Sequence, residues 1–362
     1  MCKRILVSQT NTEDGVPFYK IGTIGSTPDA YISKELFDDY KVKYNYPRKG
    51  EVMITCAGTV GKCVVYDGED AYFQDSNIVW IDNPTQYISN GFLFHLLSKV
   101  DWRKLNSTTI IRIYNDDLRN LKMSYPRKEE QQKISHLLSL LDERIATQNK
   151  IIYKLKSLIR GIMVELQKRG LSNGTWKKVL LSNVLTERNE LNKSLYPVYS
   201  VSVIQGIVNQ MEYLGRSFAA SDTSKYHVVH YGDLVYTKSP TGSFPYGIIK
   251  QSYNQNEVAV SPLYGVYEPK TFSTGVFLHE YFKSELNTLN YLHPLVQKGA
   301  KNTINIANQR FLESYVAIPS NANELLAISK LLCSLNTKLE FLQNILKQSQ
   351  GQKQYLLRQM FI

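Results

Sequence analysis

The fold of this 362-residue chain is decided by the stretch YPRKEEQQKISHLLSLLDERI, residues 125–145, because IPSNANELLAISKLLCSLNTKL, residues 318–339, repeats its pattern. Each stretch has a proline, then a polar segment, then leucine or isoleucine at every third or fourth position. Proline marks a boundary, and the helix dipole stabilises carboxylates in a first turn. Both stretches therefore predict the start of a helix, and the chain contains this start twice.

The repetition extends to the residues before each helix. IIRIYNDDL (110–118) matches TINIANQRF (303–311) at an offset of 193, FLFHLLS (92–98) matches FLHEYFK (277–283) at 185, and VPFYKIGTI (16–24) matches YPVYSVSVI (196–204) at 180. Ordered matches with a slowly changing offset indicate two copies of one module, a globular part followed by a long helix. WKKVLLS (176–182) has no counterpart in the first copy, so we expect that copy to be shorter at its start.

Each long helix is predicted by apolar residues in alternating steps of four and three, which form a coiled-coil seam. The seam residues are Ile134, Leu138, Leu141, Ile145, Ile152, Leu155, Ile159, Ile162 and Leu166 in the first helix, with Gln148 filling the gap between Ile145 and Ile152, and Ile328, Leu332, Leu335, Leu339, Leu342 and Leu346 in the second. KQSQGQKQ (347–354) interrupts the second seam as a stutter, with Gly351 as its weak point. The alternative is that each helix is amphipathic and packs only on its own globular part.

The globular parts are predicted to be strand-rich, with one short helix in each copy. Short runs such as EVMITCAG (51–58) and EVAVSPLYGVYE (257–268) are bounded by Gly, Pro, Asp and Asn. GFLFHLLSKV (91–100) and GVFLHEYFKSEL (275–286) have helical spacing. We therefore predict an α+β chain of four parts: a first globular domain (1–126), a helix (127–170), a second globular domain (171–319) and a second helix (320–362).

Composition is that of a folded protein, and its net charge favours a polyanionic partner, although the location of that charge weakens the picture of a uniformly basic DNA-binding globule. Hydrophobic residues make up 43% and the net charge is +11. Residues 1–126 carry 15 basic and 15 acidic side chains, whereas residues 127–170 carry 10 and 5, so much of the excess lies on the first helix. No apolar run reaches the roughly 20 residues of a membrane helix, and the N-terminus lacks the apolar core of a signal peptide, so a cytoplasmic location is expected.

No motif for catalysis or metal binding emerges. GTVGK (58–62) lacks the glycine and the Ser or Thr that a phosphate-binding loop needs, and is predicted to be a turn. HVVH (227–230) is predicted to be a strand, which would place its histidines on opposite faces. Four scattered cysteines predict free thiols. The 25 tyrosines lie among lysines and amides in predicted loops, a composition suited to phosphates and base edges and also to protein interfaces.

The helix-start region carries a family resemblance. IIRIYNDDLRNLKMSYP (110–126) running into EEQQKISHLLSLLDERI (129–145), with INIANQRFLESYVAIP (304–319), resembles the specificity subunit (HsdS) of type I restriction-modification systems. This resemblance covers the whole chain and implies two target-recognition domains alternating with two helices that pair as an antiparallel coiled coil. The second copy departs from the family pattern because it lacks the Glu-Gln pair and retains only Glu324.

The resemblance implies a non-catalytic subunit of a larger complex. Each recognition domain would read one half of a bipartite, asymmetric site in double-stranded DNA, and the coiled coil would set the half-site spacing and dock two modification (methyltransferase) subunits. A restriction and translocase subunit would complete the complex. No cofactor would bind to this chain, since S-adenosylmethionine, ATP and Mg²⁺ belong to the partners. Half-sites on one DNA face lie about one helical turn, roughly 34 Å, or a multiple apart.

Two alternatives remain open at this stage. The chain could be a silent or truncated specificity cassette, which docks modification subunits without productive recognition. It could also be a coiled-coil scaffold whose tyrosine-rich modules bind proteins and never DNA.

Candidate DNA-binding residues are polar side chains in predicted loops. In the first copy they are Lys41, Lys43, Thr59, Lys62, Gln74, Asn77 and Arg112, and in the second Lys225, Tyr226, Lys238, Ser243, Tyr246, Lys250, Lys298, Lys301 and Asn302. Charge reversal at Lys238 and Lys250 is expected to weaken DNA binding and to lower its salt dependence by about one per lost phosphate contact.

Overall fold

The computed structural model describes residues 1–104, 111–216, 218–298 and 304–361. It divides the chain into unit 1, residues 1–149 with 344–362, and unit 2, residues 150–343. Each of the two long helices contributes residues to both units.

In its described part, unit 1 contains two small sheets, four α-helices or helix segments before residue 150, and the end of the long C-terminal helix (residues 344–360). Its strands are β1 (Thr10–Asn11), β2 (Val16–Tyr19), β3 (Tyr31–Ile32), β4 (Val52–Thr55), β5 (Cys63–Val65), β6 (Tyr72–Phe73) and β7 (Ile78–Ile81). Its helices are α1 (Lys34–Lys43), α2 (Asn90–Lys99), α3 (Asn115–Arg119) and the first half of α4 (Lys128–Ser172). One sheet has the order β1-β3-β2-β6, and the other, β5-β4-β7, is antiparallel.

Unit 2 is larger and is built on a central antiparallel sheet. Its strands are β8 (Trp176–Leu180), β9 (Leu185–Glu187), β10 (Tyr199–Ser202), β11 (Gly206–Asn209), β12 (His227–Val229), β13 (Leu234–Tyr236), β14 (Ile249–Gln251), β15 (Val258–Val260), β16 (Gly265–Pro269), β17 (Gln297–Lys298), β18 (Ile304–Asn305) and β19 (Tyr315–Pro319). Its short helices are α5 (Gln210–Leu214), α6 (Phe272–Tyr281), α7 (Glu285–Leu292) and α8 (Asn308–Phe311), and the long helix α9 (Ala322–Met360) begins here. The central sheet has the order β14-β13-β16-β9, and β8 pairs with β19.

The core of unit 2 is centred on an aromatic stack. Phe311 is fully buried, with its ring centroid 4.9 Å from that of Tyr236 and 4.6 Å from that of Tyr267. The same core includes Trp176 and the α4 residue Ile159. Burial of these large rings therefore joins the sheet to the long helices.

The seam residues predicted from the sequence are buried or half-buried in the structure. In unit 1, Leu138 near the start of α4 packs in one cluster with Phe361, which follows the end of α9. In unit 2, Ile159 toward the end of α4 packs in one cluster with Leu332 near the start of α9. The helices are therefore antiparallel, and they pack both on each other and on their globular parts.

Two sequence expectations about helices were wrong. Each unit contains more than one short helix in its described part, and α1 and α7 were not predicted. Helix α6 begins three residues before the predicted segment. The N-caps Ser89 of α2 and Thr271 of α6 are therefore 182 positions apart, whereas the sequence match gave an offset of 185. α9 is continuous through Gly351, which is compatible with a stutter, since a stutter shifts the seam without ending the helix.

The hydrogen bonds of Gln131 give the Glu-Gln pair at the start of α4 a structural role. Its side chain is buried, and its Oε1 accepts a hydrogen bond from Ser89 N at 2.7 Å. Its Nε2 donates to the carbonyl oxygens of Tyr87 (3.0 Å) and Pro126 (2.9 Å). One amide therefore joins the start of α4 to the N-cap of α2 and to the proline that precedes the helix.

Gln131→Leu will lower the free energy of unfolding by about 2 kcal/mol, because it leaves buried backbone donors and acceptors unpaired. The matched control is Gln132→Leu at the exposed neighbouring position, which we expect to change stability by no more than about 0.5 kcal/mol. Urea unfolding measures both, and equal effects would show that the three hydrogen bonds of Gln131 do not stabilise this junction.

Candidate nucleic-acid interface

Three loops of unit 1 meet through side chains predicted to bind DNA. Thr59 Oγ1 donates a hydrogen bond to Ile21 O at 3.0 Å, and Gln74 Oε1 accepts one from Ile21 N at 3.2 Å. Lys62 Nζ lies 2.5 Å from Ile24 O and donates to it. We call the surface formed by residues 20–26, 57–62, 74–77 and 112 the first loop cluster.

Arg112 and Asn77 complete the first loop cluster. Arg112 Nη2 donates to Ser76 O at 3.1 Å, and its guanidinium lies 6.0 Å from the centroid of the Tyr114 ring. The carbonyl of Asn77 accepts a hydrogen bond from Cys56 N at 2.7 Å. The structure thus brings together five of the seven residues predicted in the first copy, although they are up to 53 positions apart in the sequence.

The β4–β5 connection is the tight turn that the sequence predicted at GTVGK. Gly61 has φ +85°, and a Cβ there would lie 2.2 Å from Cδ1 of Trp102. A side chain at this position would therefore displace the indole or the loop, so glycine is required for its close approach. The turn leaves Thr59 and Lys62 exposed.

Lys41 and Lys43 do not belong to the first loop cluster, and their prediction as loop residues was wrong. Both lie in α1, which Ser33 caps through its Oγ. Lys41 Nζ lies 3.0 Å from Asp70 Oδ1, and Lys43 Nζ lies 2.5 Å from Asp39 Oδ1. Their charges are balanced by carboxylates, which makes them weaker candidates for phosphate contacts than Lys62.

Unit 2 presents an equivalent hairpin between β13 and β14. Thr237 N donates to Ile248 O at 3.0 Å and Thr237 Oγ1 accepts from Ile248 N at 3.2 Å. Thr55 and Lys62 make the same two bonds in unit 1, each at 3.0 Å. The hairpin connections occupy the same place in the two copies, and we call residues 237–248 the second loop cluster.

Lys238, Ser243 and Tyr246 lie on the second loop cluster. Ser243 is exposed, whereas Lys238 and Tyr246 are half-buried, and burial lowers the pKa of the Lys238 ammonium. Tyr236 Oη donates to Tyr246 O at 2.8 Å, which ties this loop to the core.

The remaining candidates of the second copy lie elsewhere. Lys225 and Tyr226 occupy the connection before β12, where Tyr226 Oη accepts a hydrogen bond from Ala220 N at 3.0 Å. Lys298 is the last residue of β17. Lys301 and Asn302 lie outside the described residues.

The prediction that Lys250 lies in an exposed loop was wrong. It is in β14 and is buried, and burial together with the nearby Lys283 ammonium lowers its pKa to about 8. Glu280, also buried, forms an ion pair with Lys283 and accepts a hydrogen bond from Asn336 Nδ2 at 2.7 Å. Lys250 therefore belongs to a buried polar network between β14, α6 and α9, and its charge reversal would perturb the core.

Lys250→Met will raise the free energy of unfolding at pH 7 by roughly 2 kcal/mol, because a pKa depressed from 10.5 to about 8 reflects a buried ammonium that the fold disfavours. The unfolded chain binds this proton more tightly between pH 8 and 10.5, so the wild-type protein gains stability as the pH rises through that window. The variant will lack this gain. Urea unfolding at pH 7 and pH 10 measures both effects, and a destabilised variant at pH 7 would contradict the assignment.

A concave polar surface in unit 2 escaped the sequence analysis. It encloses about 600 Å³ beside the β10–β11 hairpin. Its lining includes Tyr199, Gln205, Asn209, Tyr213 and Asn254. The density of tyrosines and amides in YPVYSVSVIQGIVNQMEY (196–213) was the available signal, and these groups suit hydrogen bonds to base edges.

Arg188 was not among the predicted site residues. Its guanidinium forms ion pairs with carboxylates of the fold. Its Nε lies 2.8 Å from Asp233 Oδ2 and its Nη2 lies 3.1 Å from Glu268 Oε2. Arg188 is therefore an ion-pair partner at the edge of the central sheet.

Within the described ranges, no group of three His, Cys, Asp or Glu side chains is arranged to hold a metal ion. His227 Nδ1 lies 3.1 Å from Tyr264 O, and His230 Nε2 lies 2.7 Å from Glu190 Oε2. The four cysteines are free thiols, as predicted. In the part of the chain that the structure describes, no helix has the length and apolar character needed to cross a membrane.

Comparisons with known proteins agree on one family. Residues 1–157 match the family model described as the type I restriction modification DNA specificity domain. A Haemophilus influenzae protein named as a type I restriction enzyme specificity subunit, S.HindORF215P, is 51% identical over 143 residues, which are 40% of this chain and 36% of that protein.

One solved structure extends the similarity of the fold to the whole chain. The crystal structure of a type I restriction-modification system S subunit from M. genitalium aligns with 100% of this chain and 92% of its own, with a TM-score of 0.64 and 15% identity. The HsdS subunit from Thermoanaerobacter tengcongensis aligns with 97% of this chain and 91% of its own, with a TM-score of 0.35 and 14% identity. The α+β architecture with two globular parts and long helices is that of the M. genitalium subunit.

Proposed function

We propose that the whole chain is the specificity subunit of a type I restriction-modification complex, because residues 1–157 match the type I restriction modification DNA specificity domain. In this role it is non-catalytic. It selects the DNA sequence on which other subunits act.

The observation that carries this proposal is the position of the first loop cluster. It lies within the residues that match the specificity-domain family, and it combines Lys62 and Arg112 with the amides Gln74 and Asn77. Cations of this kind contact phosphates, and amides and guanidinium groups read base edges in the major groove. The second loop cluster repeats the hairpin geometry in unit 2, which supports one half-site for each copy.

We assign residues 1–126 and 171–319 as the two target-recognition domains and residues 127–170 and 320–362 as the spacer helices. The target is then a bipartite, asymmetric site in double-stranded DNA. The paired helices set the half-site spacing and dock two modification subunits, and a restriction subunit joins them. S-adenosylmethionine, ATP and Mg²⁺ are bound by these partners.

Co-expression with the modification subunit of the same locus tests this function. The proposal predicts a stable complex that binds genomic DNA fragments selectively in the presence of excess competitor DNA. Failure to co-purify would favour a scaffold with other partners, and a complex without selective DNA binding would favour a silent cassette. Either result contradicts the proposal.

A further inference from the structure

The concave polar surface of unit 2, which we call the polar concavity, has a hydrogen-bonded frame. Ser202 Oγ accepts hydrogen bonds from Ile204 N and Gln205 N, each at 3.3 Å, and donates one to Tyr213 Oη at 3.2 Å. Ser202 is buried, and Tyr213 lies in α5. One hydroxyl therefore joins the turn of the β10–β11 hairpin to α5.

Asn209 fixes the start of α5 against the same hairpin. As the N-cap, its Oδ1 accepts hydrogen bonds from Met211 N at 3.0 Å and Glu212 N at 3.3 Å. Asn209 also pairs with Tyr199 across the two strands. The backbone that carries Glu212 is thereby held in place, so the walls of the polar concavity are fixed before any ligand binds.

Glu212 gives the polar concavity its charge. Among the described residues that line this surface, it is the only charged one, and no lysine or arginine accompanies it. Its side chain is exposed, and within the described ranges no hydrogen bond or ion pair is assigned to its carboxylate. An unpaired carboxylate without a neighbouring cation repels phosphates. The polar concavity is therefore unsuited to the DNA backbone.

The chemistry of this lining favours one base edge. A carboxylate only accepts hydrogen bonds. In the major groove, cytosine presents the donor N4 amino group, guanine and thymine present acceptors, and adenine presents a donor beside the acceptor N7. Adenine suits an amide, which has both a donor and an acceptor, whereas cytosine suits a carboxylate. The polar concavity therefore matches the edge of cytosine.

The polar concavity lies close to the second loop cluster. Strand β14 follows that cluster directly, and Asn254, three residues beyond β14, has its Nδ2 3.5 Å from Ile207 O of the hairpin. The chain from residue 248 to residue 254 spans at most roughly 20 Å at 3.3 Å per residue. This is the length of about six base pairs at 3.4 Å each. The separation is compatible with one half-site that contacts both surfaces.

We propose that the polar concavity reads one cytosine in the half-site that unit 2 recognises, and that Glu212 accepts a hydrogen bond from its N4 amino group. This inference rests on the proposed function, since it requires unit 2 to bind DNA. It assigns a residue that determines specificity outside both loop clusters. The cations of those clusters contact phosphates, whereas Glu212 selects a base.

Methylation mapping in cells that express the modification subunit with the wild-type chain, Glu212→Gln or Glu285→Gln tests the assignment. We expect Glu212→Gln to relax one cytosine in one half of the motif so that adenine is also accepted, because an amide pairs with N6 and N7 of adenine. The other half should stay unchanged. Glu285→Gln is the matched control, since Glu285 is also exposed in the first turn of a short helix of unit 2, and it should leave the motif unchanged.

Fluorescence anisotropy with the purified complex tests the contact at a single atom. One DNA duplex carries the wild-type motif, and a second has 2-pyrimidinone, which lacks the amino group, in place of that cytosine. Loss of the amino group should weaken binding of the wild-type complex about tenfold more than binding of the Glu212→Ala complex. Circular dichroism and co-purification with the modification subunit will establish that the variants fold and assemble.

Three results would overturn the assignment. They are a motif that Glu212→Gln leaves unchanged, a motif that changes in both halves or at a base other than cytosine, and an equal effect of 2-pyrimidinone on the wild-type and Glu212→Ala complexes. Absence of any motif with the wild-type chain would instead contradict the proposed function, and this inference with it.

Discussion

Phe311→Ala is expected to lower the free energy of unfolding of unit 2 by about 4 kcal/mol. The ring is fully buried between Tyr236 and Tyr267, so its removal loses apolar burial and leaves a cavity that two neighbouring rings cannot easily fill. Urea unfolding followed by tryptophan fluorescence measures the loss, because Trp176 lies in the same core.

The matched control is Phe341→Ala, since Phe341 is 63% exposed on α9 in the same unit. Its removal should change the free energy of unfolding by no more than about 0.5 kcal/mol. Similar losses for the two variants would contradict the assignment of Phe311 as the centre of the core.

Combined replacement of Lys62 and Arg112 by glutamine is expected to weaken DNA binding of the assembled complex by about a hundredfold. Both cations lie on the first loop cluster, and each contact to a phosphate or a guanine contributes about 1–3 kcal/mol. The slope of log affinity against log salt should fall by about two, because two fewer counterions are released. The measurement is a titration with salt of binding to a DNA fragment that carries the target sequence found by methylation mapping.

The control for that experiment has the same change in net charge at another place. Lys41→Gln with Lys43→Gln removes two cations from α1, where Asp70 and Asp39 already balance them. We expect less than a threefold loss of affinity and a nearly unchanged slope. Equal effects of the two double variants would show that overall charge, rather than the first loop cluster, determines binding.

The long helices could be predicted well from the sequence because a single rule governs them. Leu138, Ile159 and Leu332 recur with the period of a coiled coil, and each is buried. The predicted helix boundary at residue 127 lies one residue before Lys128, where α4 begins. Periodicity is a local property, so one sequence is sufficient to reveal it.

The errors at Lys41 and Lys250 have a different origin. Lys41 lies in a polar helix with little apolar periodicity, and only Ser33, an N-cap residue followed by Glu35, gave a helix signal. Lys250 follows Ile248 and Ile249, and all three residues of β14 are buried, whereas a lysine favours the prediction of an exposed position. Burial of a charged group depends on tertiary neighbours such as Glu280 and Lys283, which adjacent sequence does not indicate.

The candidate interface was predictable in composition and only partly in position. Hairpin glycines and scattered amides identified Thr59, Lys62 and Gln74, but their common contacts to residues 21 and 24 required the fold. The hydrogen bond from Trp176 Nε1 to Glu324 Oε1 likewise joins residues 148 positions apart.

The most direct test of the central claim is genome-wide mapping of adenine methylation in cells that express the modification subunit with the wild-type chain, with the Lys62 and Arg112 double variant, or with no chain. Our account predicts one bipartite, asymmetric motif that is methylated with the wild-type chain, strongly reduced with the variant and absent without the chain. A motif that is methylated equally in all three strains, or no motif in any of them, would contradict it.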